Sequence, residues 1–117
     1  MQSYKNSVAL EKRISESNRI ITKYPNHIPV IIDCDKELSK LIKKKKYLVP
    51  FDSQISYLLT IVRTKISIGK EKALFMFYNN SLVCPNDMIG DIYNKNKLFS
   101  NDDKFLYFYL TLENTFG

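Results

Sequence analysis

The run FLYFYLTL, Phe105 to Leu112, constrains this chain more than any other segment. In an extended strand successive side chains point to opposite faces, and here large apolar or aromatic residues occupy both. Such a strand belongs in the middle of a sheet, so the chain must supply a covering layer on each side. One candidate cover is an amphipathic helix over 55–66. Its apolar residues Ile55, Leu58, Leu59, Val62 and Ile66 recur at helical spacing, and Asp52 or Ser53 is placed to cap it. The other is the N-terminal segment, where Val8, Leu10, Ile14, Ile20 and Ile21 alternate with charged positions until Pro25 stops the run at Tyr24. Ser3, or Asn6 and Ser7, can cap or break this segment, so it can form two helices.

The remaining strands are read from shorter runs. Ile28 to Ile32 is β-like despite Pro29, which a strand tolerates at an edge or at its beginning. Tyr47 to Val49 is closed by Pro50, again the mark of an exposed edge. Leu74 to Tyr78 and Ser81 to Cys84 flank Asn79-Asn80, a pair that tolerates the positive φ of a tight hairpin. Asn86 or Asp87 can cap a short helix carrying Met88, Ile89, Ile92 and Tyr93. Residues 33–46 read as a polar, lysine-rich connection. The expected order is αα-ββ-α-ββ-α-β, an α+β chain with no internal repeat.

A chain of 117 residues with 44% hydrophobic residues can bury one core, and no leader or membrane-length apolar run is evident, so a soluble intracellular protein is expected. Cys34 and Cys84 lack CxxC spacing and read as free thiols. Charge is uneven: residues 1–50 carry 11 Lys/Arg against 5 Asp/Glu, whereas residues 51–117 carry 7 against 7. A basic first part suits an acidic peptide, an anionic membrane or nucleic acid, and equally a solvated helix face.

Motifs for catalysis are missing. There is no Gly-rich phosphate loop, no zinc-binding helix and no nucleophile elbow, and Gly69, Gly90 and Gly117 are scattered. His27, the sole histidine, reads as a surface or rim residue, and no motif pairs it with a cysteine nucleophile. Asp33, Asp35 and Glu37 complete no metal-ligand pattern. No catalytic residue, metal or cofactor is therefore assigned. Lysines 43–46 lack the strand order and Gly-aromatic motif of an RNA-recognition module. Leading into the exposed edge KYLVP, they fit better as guides for an acidic extended peptide that adds its backbone to the sheet.

Five segments then fall in order: LEKRISES at 10–17, KYPNHIPVII at 23–32, KKKYLVP at 44–50, ALFMFYNN at 73–80 and the terminal Phe116-Gly117. On these the sequence resembles the GABARAP-type autophagy modifiers, the autophagy-related protein eight family, over essentially its whole length. The resemblance implies a ubiquitin-like β-grasp with two additional N-terminal helices: a helical extension over 1–24, a β-grasp core over 25–112 and a tail over 113–117, in one domain.

It also implies function. Family members are conjugated through a terminal glycine, here Gly117, to phosphatidylethanolamine, and they bind aromatic-x-x-aliphatic peptide motifs along an edge strand. A first, aromatic-accepting pocket would be lined by Glu16, Ile20, Pro29, Lys46, Leu48 and Phe105. A second would use Tyr47, Val49, Pro50, Leu58, Ile61 and Val62, with Arg63 beside it pairing acidic ligand residues and Lys44 and Lys45 steering at longer range. Implied partners are motif-bearing autophagy receptors and adaptors, the activating and conjugating enzymes, a processing and delipidating cysteine peptidase, and a phosphatidylethanolamine membrane. Nucleic acid is not expected. The implied location is cytoplasmic with a lipid-anchored pool on autophagosomal membranes. The alternatives are a non-conjugated trafficking adaptor of the same fold and a basic RNA-binding module. The sequence departs from the family at His27, where Arg or Lys is usual, over 33–43, and at Ser53, where an aliphatic residue often extends the second pocket.

Overall fold

The strand that must be covered on both faces is central. In the computed structural model, which describes residues 3–69, 72–99 and 103–114, β5 (Leu106–Asn114) lies between β1 (His27–Cys34), to which it is parallel, and β3 (Lys72–Tyr78), to which it is antiparallel. β2 (Lys46–Pro50) and β4 (Ser81–Leu82) complete a five-stranded sheet of order β2-β1-β5-β3-β4. Thus β2 is an edge strand, as its closing proline suggested. The helices are α1 (Tyr4–Ser7), α2 (Leu10–Lys23), α3 (Lys36–Ser39), α4 (Ile55–Arg63) and α5 (Ile89–Phe99).

One face of the sheet makes the core. Ile28, Val30 and Ile32 of β1, Tyr47 and Val49 of β2, Leu74 and Met76 of β3 and Leu106, Phe108 and Leu110 of β5 pack with Ile55, Leu58 and Val62 of α4. Each large aliphatic side chain buried there contributes about 1.5–3 kcal/mol. The other face is covered by the N-terminal helices over part of its length. The Tyr4 ring meets Phe105 edge-on at 5.8 Å between centroids, and Ser17, fully buried, donates to the Ile14 carbonyl and lets α2 lie close to β1. Coverage of β5 stops short: Phe105 is buried and Tyr107 half-buried, but Tyr109 is 43% exposed because it lies beyond the helices' reach.

The N-terminal segment forms the two helices expected, separated at Val8 and Ala9; Ser3 caps the first, its hydroxyl accepting from the Asn6 amide. Several other expectations need correction. The connection 33–46 contains α3, capped by the Asp35 carboxylate, which accepts from the Leu38 amide at 2.8 Å. Helix α4 ends at Arg63, since Ile66 pairs instead with Ile42 in an isolated bridge, and its N-cap is Gln54, without a side-chain bond, in place of Asp52 or Ser53. The Asp87 carboxylate accepts from the Cys84 amide and so holds the preceding turn, while α5 runs on to Phe99. β4 is only two residues long. Asn79 and Asn80 do take positive φ, 49° and 65°, at the hairpin. Pro29 stands in an interior strand and costs no ladder bond. Amides of even-numbered β1 residues face β2, as the Ile32 amide does toward Lys45, and pairing with β5 begins only at Val30.

Candidate functional site

β2 carries alternating side chains to two different environments. Tyr47 and Val49 enter the core, whereas Lys46 and Leu48 point away from it, toward α2. Between α2 and β2 the sheet rim opens into a groove of about 270 Å³ lined by Ile20, Tyr24, Pro29, Val30, Lys44, Lys46, Tyr47, Leu48 and Phe105. Of the residues expected in the first pocket, Ile20, Pro29, Lys46, Leu48 and Phe105 come together here. Glu16 stands beside the groove, one helical turn before Ile20, and reaches it through Lys46. Tyr24 and Val30 were not anticipated. Tyr24 is the last residue before Pro25, and its 39% exposure gives a large ring to the rim; its placement depends on where α2 docks.

Glu16 and Lys46 form a small polar cluster at the groove's mouth. The Lys46 ammonium donates to both Glu16 oxygens at 2.8 and 3.0 Å, and the Tyr4 hydroxyl donates to Oε1 at 2.6 Å. The same ammonium lies 4.9 Å from the centre of the Tyr4 ring. Burial opposes ionisation of Glu16, but the hydrogen bonds from Lys46 and Tyr4, with the charges of Lys46 and Arg19, outweigh it and hold the carboxyl below its ordinary value. Burial likewise disfavours the charge on Lys46, and Glu16 and Tyr4 more than compensate, raising its pKa. A charged lysine, paired with Glu16, is thus kept at the entrance of the groove.

On the other side of β2 the residues expected in the second pocket are mostly interior. Val49, Leu58 and Val62 are fully buried and Tyr47 is 5% exposed, its hydroxyl donating to the Lys44 carbonyl at 2.8 Å. Burial raises the Tyr47 pKa to about 12. Pro50, at the end of β2 where the chain turns toward α4, is half-buried, as are Ser53 and Ile61, and these three provide the accessible surface on this side. Arg63 is exposed, and its guanidinium donates to the Lys72 carbonyl at 2.8 Å. Lys44 is exposed with its ammonium 5.4 Å from the Tyr47 ring centre; Lys45 is half-buried, and its carbonyl accepts from the Ile32 amide. The His27 ring lies edge-on to Tyr24 at 5.9 Å, at the rim. Gly117 lies outside the described residues, and among those described no group of His, Cys, Asp or Glu could hold a metal.

α2 itself is placed by a pair the sequence did not single out. Arg13, 7% exposed, donates to the Asp103 carboxylate, which is 2% exposed and also accepts from the Phe105 amide and the Tyr107 hydroxyl. These residues are 90 positions apart, so no local pattern could have joined them.

A mixed sheet with an open edge and two helices beside it is a scaffold shared with known proteins. The family model described as autophagy protein Atg8, ubiquitin-like, matches residues 12–117. The chain belongs to this family. Autophagy-related protein 8a of Arabidopsis thaliana is 43% identical over 116 residues, covering 98% of this chain and 93% of the relative. Autophagy-related protein 8i of the same plant is 38% identical with both chains fully covered. Among solved structures, Trypanosoma brucei ATG8 superposes with a TM-score of 0.83 at 28% identity, covering 100% of this chain and 99% of that one. Plasmodium falciparum Atg8, solved in complex with a Plasmodium falciparum Atg3 peptide, gives 0.76 at 30% identity, with 95% and 96% covered. The α+β fold with two N-terminal helices is therefore the ubiquitin-like Atg8 fold, and the chain is an autophagy ubiquitin-like protein.

Proposed function

We propose that this protein is a modifier conjugated through Gly117 to phosphatidylethanolamine, and that it recruits receptors bearing aromatic-x-x-aliphatic motifs to autophagosomal membranes. The observation that carries the reading is the edge strand β2, unpaired on its outer side among the described residues, beside an apolar groove on its α2 side. A peptide adding to β2 gains main-chain hydrogen bonds whatever its sequence. Side chains three positions apart in an extended peptide point to opposite faces, so an aromatic residue on the α2 side leaves the aliphatic one on the α4 side. The aromatic anchor enters the groove of Ile20, Pro29, Lys46, Leu48 and Phe105. The aliphatic anchor meets Pro50 and Ile61, over a floor of Tyr47, Val49, Leu58 and Val62. Lys44, Lys45 and Arg63 attract an acidic flank, an effect that salt screens beyond about 8 Å.

The chemistry of attachment belongs to partner enzymes; this chain supplies a terminus. Glycine at the end has no β-carbon and suits the narrow channel of an activating or conjugating enzyme. That the Plasmodium relative was solved with an Atg3 peptide supports a conjugating-enzyme partner here. The test expresses wild type, Gly117→Ala and a Gly117 deletion in autophagy-induced cells and follows the lipidated gel band and membrane fraction. Both variants are expected to lose the band and to keep peptide binding. A deletion variant that still acquires lipid overturns conjugation, and the non-conjugated adaptor takes its place.

A further inference from the structure

A second surface lies where the chain leaves the sheet. Residues 41–43 run antiparallel beside 65–67: the Lys43 amide donates to the Lys65 carbonyl at 2.8 Å, the Ser67 amide to the Leu41 carbonyl at 3.3 Å, and Ile42 faces Ile66. Ile42 and Ile66 turn inward, at 7% and 8% exposure. Leu41, Lys43, Lys65 and Ser67 consequently share the outer face, and all are exposed. Lys43 and Lys65 stand directly opposite each other, a like-charge pairing that destabilises a ladder. No ion pair to either exists among the described residues. The Arg63 guanidinium, bonded to the Lys72 carbonyl, stands at the start of β3, and Lys72 pairs with Asn114 at the end of β5. Leu41 shares a depression with Leu38, Lys40 and Leu112 of β5. The acidic groups nearby are Asp35 and Glu37, which line that depression, and Glu113; Glu37 is 3.8 Å from Lys40.

We propose that Leu41, Lys43 and Lys65 form the surface that rests on an anionic phospholipid bilayer. Two observations choose this occupant. An exposed leucine among cations matches the boundary between headgroups and acyl chains, where apolar contact and charge attraction add. A nucleic-acid groove would instead place stacking aromatics between its cations. The second observation is position. Gly117 lies three residues past Asn114, and three residues span at most about 11 Å, so attachment there brings the membrane against the end of the molecule that carries this surface. This placement rests on the proposed conjugation; the opposed lysines and Leu41 do not.

The experiment uses the unconjugated full chain with phosphatidylcholine vesicles, with and without phosphatidylserine. Sedimentation is expected to show binding that requires phosphatidylserine and falls roughly fivefold per lysine, about 25-fold for Lys43→Gln with Lys65→Gln together. Lys12→Gln, on the exposed side of α2, should leave it unchanged. The chain contains no tryptophan, so Leu41→Trp introduces a single reporter whose emission should shift to the blue on phosphatidylserine vesicles. Equal binding to neutral vesicles, an equal effect of Lys12→Gln, an unshifted emission from the Leu41→Trp variant, or lysine-dependent binding to an RNA oligonucleotide without vesicle binding overturns the proposal. Because the chain is unconjugated, these results are independent of the Gly117 assay: vesicle binding with no lipidated band would reject conjugation and keep this surface.

Discussion

Leu48 and Val49 are neighbouring aliphatic residues with different surroundings. Val49 is fully buried in the core, while Leu48 is half-buried and lines the groove on the α2 side. Strand alternation assigns them to opposite faces, and only the position of α2 says which face is open. Leu48→Arg places a charge where a ligand's aromatic side chain would have to desolvate it, at a cost of several kcal/mol. Calorimetry with a Trp-x-x-Leu peptide should show at least roughly a hundredfold weaker binding, about 3 kcal/mol, with circular dichroism unchanged. An intact fold with unaltered affinity would remove Leu48 from the pocket.

At the scale of elements, the Glu16 cluster joins α1, α2 and β2, and it gives their docking a pH dependence. The Glu16 carboxyl is held below its ordinary value of 4.5, so its contribution is complete above that value and disappears as pH falls through the folded-state value. Lys46 is raised above its ordinary 10.5, so its contribution is complete below that value and disappears as pH rises through its folded-state value. Between these limits the cluster is intact. The Lys46 side chain is 48% exposed, which keeps the pair's worth under about 1 kcal/mol. Chemical denaturation of wild type and Glu16→Gln across roughly pH 2–7 should therefore give a stability difference that holds from neutrality down to about pH 4.5 and vanishes only below it. A difference independent of pH would mean that Glu16 acts through packing alone. Elements were legible where a local rule suffices, as at the Asn79-Asn80 hairpin and the Pro50 edge. They were misread where a competing contact won. Ile66 continues the α4 periodicity, yet its bridge to Ile42 takes it out of the helix, and Asp87 serves a turn in place of a helix end.

At the scale of the whole molecule, the Arg13–Asp103 pair fastens the N-terminal helices to the sheet and so keeps Ile20 over the groove. Arg13→Ala removes the cation that faces the buried Asp103 carboxylate, to which the Phe105 amide and Tyr107 hydroxyl also donate, and breaking such a buried pair costs about 3–5 kcal/mol. Urea unfolding should show a loss of that order, together with weaker peptide binding. A loss of under roughly 1 kcal/mol would mean that water reaches Asp103. The sequence by itself determined the doubly apolar strand, the edge closed by Pro50, the family and the residue types of the groove, because these rest on local spacing and side-chain chemistry. Tertiary structure alone decided which apolar residues are floor and which are open, how Tyr4 and Arg13 pin helices to strands far along the chain, and that Lys43 faces Lys65. Those outcomes depend on contacts between residues distant in sequence, which periodicity cannot encode.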